Sequence, residues 1–301
     1  MLEPPVNTTT RRFPDWIRVT SGGNENYYAV KNIVAGNKLH TVCAEANCPN
    51  VGECWGHGTA TFMILGDVCT RGCKFCSVNK GRPPLYDTEE PKRLAGAVAQ
   101  MKLRYVVITS VDRDDLPDGG AGIFAESIRE IRHRCPGIEI EVLIPDFRGS
   151  AEALKMVLQA RPDVLAHNLE TVPSLYRLAR GGGVYATSLS LLERVRAWAP
   201  DLVTKSSLML GLGEEMEEVI EVMSDLCTCG VQILTLGQYL QPSVRELPVA
   251  RFVPPEEFEG LARLGRDMGF AHVEAGPLVR SSYRAERQLK RCQAPVPGTS
   301  A

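Results

Sequence analysis

Short apolar runs alternate with amphipathic stretches along most of this chain. Runs over 62–68, 105–110, 138–145, 164–170, 202–212 and 233–240 read as strands, and a weaker one covers 272–275. Between them, apolar positions recur every three or four residues over 90–102, 121–134, 150–160, 188–198, 214–229 and 255–268, the helical period. Strand–helix alternation predicts an α/β fold with a parallel sheet covered by helices. Six or seven such units over about 200 residues suit a barrel, complete or partial, better than an open sheet, although the spacing alone does not separate the two. In such folds the working residues sit at the C-terminal ends of the strands. Residues 13–58 lack long periodic patterns. Residues 1–12 are polar and expected to be disordered, and 284–301 read as a short helix followed by a frayed tail.

A chain of 301 residues can bury roughly 75% of its unfolded surface, so its core needs neither metals nor disulfides to hold it. The ten cysteines therefore call for another explanation. The net charge of −2, without a basic block, gives no reason to expect nucleic acid as a partner. No run approaches the ~20 apolar residues that span a bilayer. The opening stretch MLEPPVNTTTRRFPDW lacks the apolar segment of a secretory signal. The expectation is a soluble protein of the cytoplasm or an equally reducing compartment, where clustered cysteines argue for metal or catalysis over disulfides.

Six of the cysteines form two triads. Cys43, Cys48 and Cys54 make a C-x₄-C-x₅-C run, and Cys69, Cys73 and Cys76 make a C-x₃-C-x₂-C run at the end of the first strand of the repeat. Three thiolates on one short loop can each bind one iron of a [4Fe–4S] cubane, which leaves the fourth iron open to a ligand. Paired C-x₂-C zinc hooks supply four ligands, whereas each triad here stops at three. A mixed zinc site and buried free thiols are the alternatives. Gly72 would let the second loop wrap closely, and Phe75 would shield one face of a cluster from water. Cys135, Cys227, Cys229 and Cys292 read as ordinary thiols.

The C-x₃-C-x₂-C run with an aromatic before its last cysteine resembles the radical S-adenosylmethionine superfamily. The two triads in succession resemble its lipoyl synthase family. The stretches Glu45-Ala46-Asn47-Cys48-Pro49-Asn50, Thr109-Ser110-Val111-Asp112-Arg113-Asp114-Asp115, His167-Asn168-Leu169-Glu170-Thr171 and Arg280-Ser281-Ser282-Tyr283 agree with that likeness. It implies a partial (β/α)6 TIM-like barrel over 59–277. An N-terminal extension over 1–58 and a C-terminal one over 278–301 would carry an auxiliary cluster.

The resemblance further implies two [4Fe–4S] clusters and S-adenosylmethionine. The cluster on Cys69, Cys73 and Cys76 would bind the cofactor and, once reduced, yield a 5′-deoxyadenosyl radical. The cluster on Cys43, Cys48 and Cys54 would be the sulfur source, spent on C6 and C8 of an octanoyl group amide-linked to a lysine. Its fourth ligand would be a serine of the Arg280–Tyr283 motif. Neighbours in an extended chain point to opposite sides, so only one of Ser281 and Ser282 can serve, and Ser282 is favoured. Arg280 would meet a nearby anion and Tyr283 the backbone. Thr109, Ser110, Asn168, Glu170, Lys205 and Ser207 would contact the cofactor, with Gly211 to Glu214 nearby. Each of these, taken singly, could equally be a hydrogen-bonded strand end or helix cap. Asp112 to Asp118 would be a solvated loop, or else a lid or a cofactor-facing rim. His40 and His57 would be donors to the first triad, and His133, His167 and His272 structural.

The implied partners are octanoylated lipoyl-carrier domains (2-oxoacid dehydrogenase E2 or glycine cleavage H protein), an electron donor such as flavodoxin or ferredoxin, and an iron–sulfur carrier. A biotin-synthase-like enzyme or a methylthiotransferase is a second reading, and the N-terminal triad and the C-terminal motif speak against it. An iron–sulfur electron carrier or zinc-stabilised binding module is a third. The open fourth positions and the long β/α chain count against that one.

Overall fold

The computed structural model describes residues 13–18, 24–46, 48–57 and 60–294. The expectations for 1–12 and for the tail beyond 294 lie outside those residues. Helix α1 (Glu25–Gly36) is followed by a short strand β1 (His40–Thr41) and by α2 (Val42–Glu45) and α3 (Val51–Gly56). The repeat begins with β2 (Thr61–Ile64), and a small parallel pair, β3 (Val68–Cys69) and β4 (Asn79–Lys80), then brackets a loop. Next come α4 (Glu90–Gln100), β5 (Tyr105–Ser110), α5 (Ala121–Arg134), β6 (Glu139–Leu143), α6 (Ala151–Gln159) and β7 (Val164–Ala166). Helices α7 (Pro173–Ala179) and α8 (Tyr185–Trp198), β8 (Val203–Leu210), α9 (Met216–Thr228), β9 (Ile233–Gln238), α10 (Pro255–Met268), β10 (His272–Gly276) and α11 (Ala285–Gln293) complete the chain. No helix among the described residues is long and apolar enough to cross a membrane.

The main sheet runs β1-β2-β5-β6-β7-β8-β9-β10, parallel throughout except for the β1–β2 pair. Each new strand adds to the same side. That is the winding of a barrel, since a doubly wound sheet reverses its order. The two edges, β1 and β10, are not paired with each other, so the barrel is partial, with the weakly patterned 272–275 run serving as its last strand. Both faces of the strands are covered, which is why they read as continuous apolar runs rather than alternating ones. Phe62, Ile64, Val106, Ile108, Ile140 and Val142 point outward and are buried under the helices.

The inner face is layered. Along β8, Val203, Lys205, Ser207 and Met209 share that face in succession. Val203 belongs to an apolar plug with Tyr105, Val107, Val164 and Ile233, stoppered by Ala285 and Leu289 of α11. Lys205 forms a buried pair with Glu141, which also accepts from the Tyr105 hydroxyl. Ser207 and Met209 open onto a cavity at the C-terminal ends of the strands.

The structure differs from the sequence expectation at several points. The 62–68 run breaks at Leu65 and Gly66, both with positive φ. The 164–170 run leaves the ladder after Ala166 and returns only as a bridge from Glu170 to Leu208. Helix α1 was not expected within 13–58. It buries only Val30 and Val34, too few positions to mark a period, and owes its start to Asn24, whose side chain accepts from the Tyr27 N–H.

Candidate functional site

The cavity, of about 520 Å³, is walled by the strand ends, the 69–76 loop, the turn after α2 and the segment that follows β10. Cys69, Cys73 and Cys76 all line it. Their loop is fastened to the segment after β5. The Thr70 N–H and hydroxyl both donate to Asp112 O, and the Asp114 N–H donates to the Thr70 hydroxyl. Arg71 runs beneath, with two hydrogen bonds to each of Asp114 and Asp146 and with Asp112 at 3.3 Å.

The acidic run 112–118 spends most of its carboxylates on internal partners, and Asp112 also stands on the cavity rim. Asp112 and Asp114 hold Arg71, Asp115 holds Arg113, and Asp118 accepts from the N–H groups of Gly120 and Gly122. The close approach expected of Gly72 belongs instead to Gly181, where a Cβ would lie 2.9 Å from Gly72 O. Burial pushes the Cys69 thiol up to about 11 and Cys73 up to about 12, with the Asp112 charge adding to both. These thiols stay protonated at neutral pH until an electrophilic metal displaces the protons.

Cys43 and Cys48 reach the same cavity, whereas Cys54, on α3, does not line it. Burial raises the Cys43 thiol to about 11, against a backbone hydrogen bond from Thr61. The Ser77 hydroxyl donates to Glu45 O, tying the two cysteine loops together. His40 pairs with Glu45 at 3.0 Å rather than donating to the triad, and His57 is the C-cap of α3. Cys135, Cys227, Cys229 and Cys292 lie away from the cavity. His167 bonds Ile144 O and the Ser188 hydroxyl in the core, as a structural histidine should.

The segment after β10 closes the open side of the barrel. Asn50 Nδ2 donates to Leu278 O at 2.7 Å, and the Thr61 hydroxyl donates to the Ser282 hydroxyl at 2.8 Å. Gly237 must be glycine, because a Cβ there would lie 2.0 Å from Val279 O. Ser281 and Ser282 both face the cavity. Tyr283 donates to Glu53, a carboxylate rather than backbone, because α3 stands opposite it.

At the strand ends, Thr109, Ser110, Asn168, Glu170 and Ser207 line the cavity, and Lys205 does not. Lys205 sits one layer lower, and Glu141 holds its ammonium. Glu214 turns to the N–H groups of Gly211, Leu212 and Gly213 and closes its own loop. Thr109 is satisfied by Leu143 O. Ser110 Oγ and Asn168 Oδ1 are buried without a partner among the described residues. Asn168 Nδ2 donates to Glu170, which leaves its oxygen as a free acceptor on a residue of the cavity wall. Glu170 holds a positive φ of 71° to reach this position. Burial raises its carboxyl above the ordinary range, and Arg180 opposes the shift. Arg180 also lines the wall and donates to Asn168 O, Leu169 O and the Tyr176 hydroxyl. The sequence reading passed over it. Its one signal was the Gly181-Gly182-Gly183 run that follows, which packs on Gly72 and Arg71.

A single tetrahedral zinc draws thiolates to about 3.8 Å from one another, given Zn–S bonds near 2.3 Å. Among the described residues no three cysteine sulfurs lie within 4.8 Å of one another.

Residues 63–226 match the Radical SAM superfamily. The lipoyl synthase of Thioalkalivibrio sulfidiphilus is 57% identical over 93% of this chain and 88% of its own. That of Methylococcus capsulatus is 57% identical over 92% and 86%. The chain belongs to the lipoyl synthase family. Among solved structures, HydG, a maturase of the [FeFe]-hydrogenase, superposes with a TM-score of 0.56 at 14% identity over 76% of this chain and 53% of its own. Escherichia coli coproporphyrinogen III oxidase superposes at 0.51 and 12% over 68% and 51%. At those identities the likeness is of fold. Membership of the lipoyl synthase family makes the chain a radical SAM enzyme, and the superfamily implies a [4Fe–4S] cluster and S-adenosylmethionine. The cysteine-lined cavity and its two bare acceptors fit that pair.

Proposed function

We propose that this chain inserts two sulfur atoms, at C6 and C8, into an octanoyl group carried on a lysine of a lipoyl-carrier domain. The observation that carries the reading is the cavity shared by Cys69, Cys73 and Cys76, by Cys43 and Cys48 of the other triad, and by Ser281 and Ser282, in a chain 57% identical to lipoyl synthases. We assign Cys69, Cys73 and Cys76 to the [4Fe–4S] cluster that binds S-adenosylmethionine. Cys43, Cys48 and Cys54 go to the auxiliary cluster. Ser282 is the preferred fourth ligand because Thr61 serves both sides, its hydroxyl bonding Ser282 and its backbone Cys43. The extensions over 1–58 and 278–301 thus bring the auxiliary site to the barrel of 59–277.

When bound, the clusters and S-adenosylmethionine supply a carbon radical strong enough to take hydrogen from an unactivated C–H bond, together with the sulfur that replaces it. The chain supplies position and dryness. Asn168 Oδ1 and Ser110 Oγ accept from the amino or hydroxyl groups of the cofactor, with Thr109, Glu170 and Ser207 beside them. Met63, Val111, Leu143 and Met209 present an apolar wall that keeps water from a reactive centre. The partners are an octanoylated E2 or H-protein domain, a flavodoxin- or ferredoxin-like donor and an iron–sulfur carrier, all in the cytoplasm. The test is anaerobic incubation with a reductant, S-adenosylmethionine and an octanoyl-lysine peptide. The expected products are 5′-deoxyadenosine and a peptide heavier by two sulfurs, and the absence of both rejects the reading.

A further inference from the structure

The cations on the cavity wall are not equally provided for. Arg71 meets three carboxylates, and Arg180 meets two carbonyls and two hydroxyls and has Glu170 nearby. Lys80 is exposed to water. Arg280 has one hydrogen bond, to Val279 O at 2.7 Å, and no ion pair among the described residues. A guanidinium carries five donors in a rigid fork, so most of them remain unspent. Arg280 is half-buried on the cavity wall, and a partly desolvated cation with unspent donors is suited to receive an anion.

Arg280 is fixed in place. Val279 O rests on Gly237, and Arg280 Nη1 stands 3.4 Å from the point where a Cβ on Gly237 would be. Asn50 grips Leu278 on the other side. Cys48 and Arg280 line the same cavity. Ser281 and Ser282 follow directly.

We infer that Arg280 is an anion site for the group held by Cys43, Cys48, Cys54 and the serine. This rests on the reading of those residues as cluster ligands. Three thiolates and an alkoxide outweigh the positive charge of an iron–sulfur core, so the loaded site is a net anion in a low-dielectric wall. A fixed cation there stabilises that anion, holds it against loss, and favours the reduced over the oxidised form. No proton or redox step at Arg280 is needed.

The test compares anaerobically reconstituted full-length wild type with Arg280→Gln and Arg280→Lys. Iron release to a ferrous chelator and the midpoint potential of the auxiliary cluster are measured. The electron paramagnetic resonance signal of the Cys69/Cys73/Cys76 cluster serves as the fold control. Arg280→Gln is expected to release the auxiliary irons about tenfold faster, since a lost charge-assisted contact is worth at least that factor. Its midpoint is expected to move negative. Arg280→Lys keeps the charge and should stay within about threefold of wild type. If Arg280→Gln does not fold, Arg280→Met, which keeps an unbranched stem without charge, is expected to show the same loss. Release and potential unchanged from wild type overturn the inference. So does weakened S-adenosylmethionine binding with unchanged release, which would make the anion the cofactor carboxylate. A wild type that takes up only about four irons per chain overturns the two-cluster reading and this inference together, and the wild-type control separates that failure from the others.

Discussion

Replacing Arg71 with methionine tests the clamp under the cysteine loop. Its side chain is 4% exposed and that of Asp146 is 3% exposed, with contacts of 2.6 and 2.8 Å between them. Asp114 and Asp112 share the same guanidinium and are about a quarter exposed. Methionine preserves the stem and drops the charge, which leaves Asp146 buried and alone. Removing one partner of a buried pair costs about 3–5 kcal/mol. The other two carboxylates add less, because water screens them. That is a large share of the roughly 5–15 kcal/mol that holds a domain together.

The pH dependence has a definite sign. In the wild type Arg71 holds the Asp146 carboxyl below its usual range, so the pair contributes across neutral pH and is lost only as pH falls below that range. In Arg71→Met burial alone acts and raises the carboxyl. The penalty is then full at neutral pH and fades as pH falls toward the ordinary carboxylate range. The stability gap to wild type is therefore expected to narrow between pH 7 and pH 5. Urea unfolding of wild type, Arg71→Met, Asp146→Asn and the double variant gives the coupling, expected at about 2 kcal/mol or more. An Arg71→Met protein within about 1 kcal/mol of wild type at pH 7, or a gap that widens on acidification, would refute the clamp.

Three further outcomes are expected. Gly181→Ala places a Cβ 2.9 Å from Gly72 O, where ordinary contact begins at 3.4 Å. The cysteine loop must then move by about half an ångström, which should cut 5′-deoxyadenosine formation roughly tenfold while iron content stays at wild type. Lys205→Met strands Glu141 in the barrel floor, so unfolding should come about 3 kcal/mol earlier, and the KM for S-adenosylmethionine should not change. A raised KM would return Lys205 to the site. Asn168→Ala removes the bare acceptor and should raise that KM about tenfold, as measured by initial rates at varied cofactor.

The strands and most helices were legible because a sheet buried on both faces needs long apolar runs, and helices over it need a three-to-four-residue period. Both ends of α5 and α10 coincide with the expected 121–134 and 255–268. Gly120 and Gly269, both left-handed, punctuate those helices. The cysteine loop was legible for a different reason, since three thiols at such spacing have few other uses. Lys205 misled because a strand pattern gives the face of a residue but not its height in the barrel. Ser207 and Lys205 share a face two residues apart, and one meets the cavity while the other meets Glu141. Arg180 and the duties of the acidic run were illegible because they depend on pairings such as Arg71 with Asp146, 75 residues apart.

The joining of the chain's two ends was the least legible feature, and the candidate site depends on it most. A sheet wound in one direction that stops short of closure leaves two edges with unpaired backbone facing each other. Here β1 and residues 278–284 occupy that gap. The first extends the sheet from β2, and the second bonds to Asn50, Glu53 and Thr61 across more than 220 residues of sequence. Neither segment has an apolar run long enough to signal a strand, because polar side chains rather than a ladder make the closure. The same polar bonds carry Ser281 and Ser282 to the cavity beside Cys43 and Cys48. The motif at 280–283 is thus part of the barrel wall, and loosening Tyr283 or Glu53 should disturb the serines, and Cys54 beside Glu53, while leaving the 69–76 loop in place.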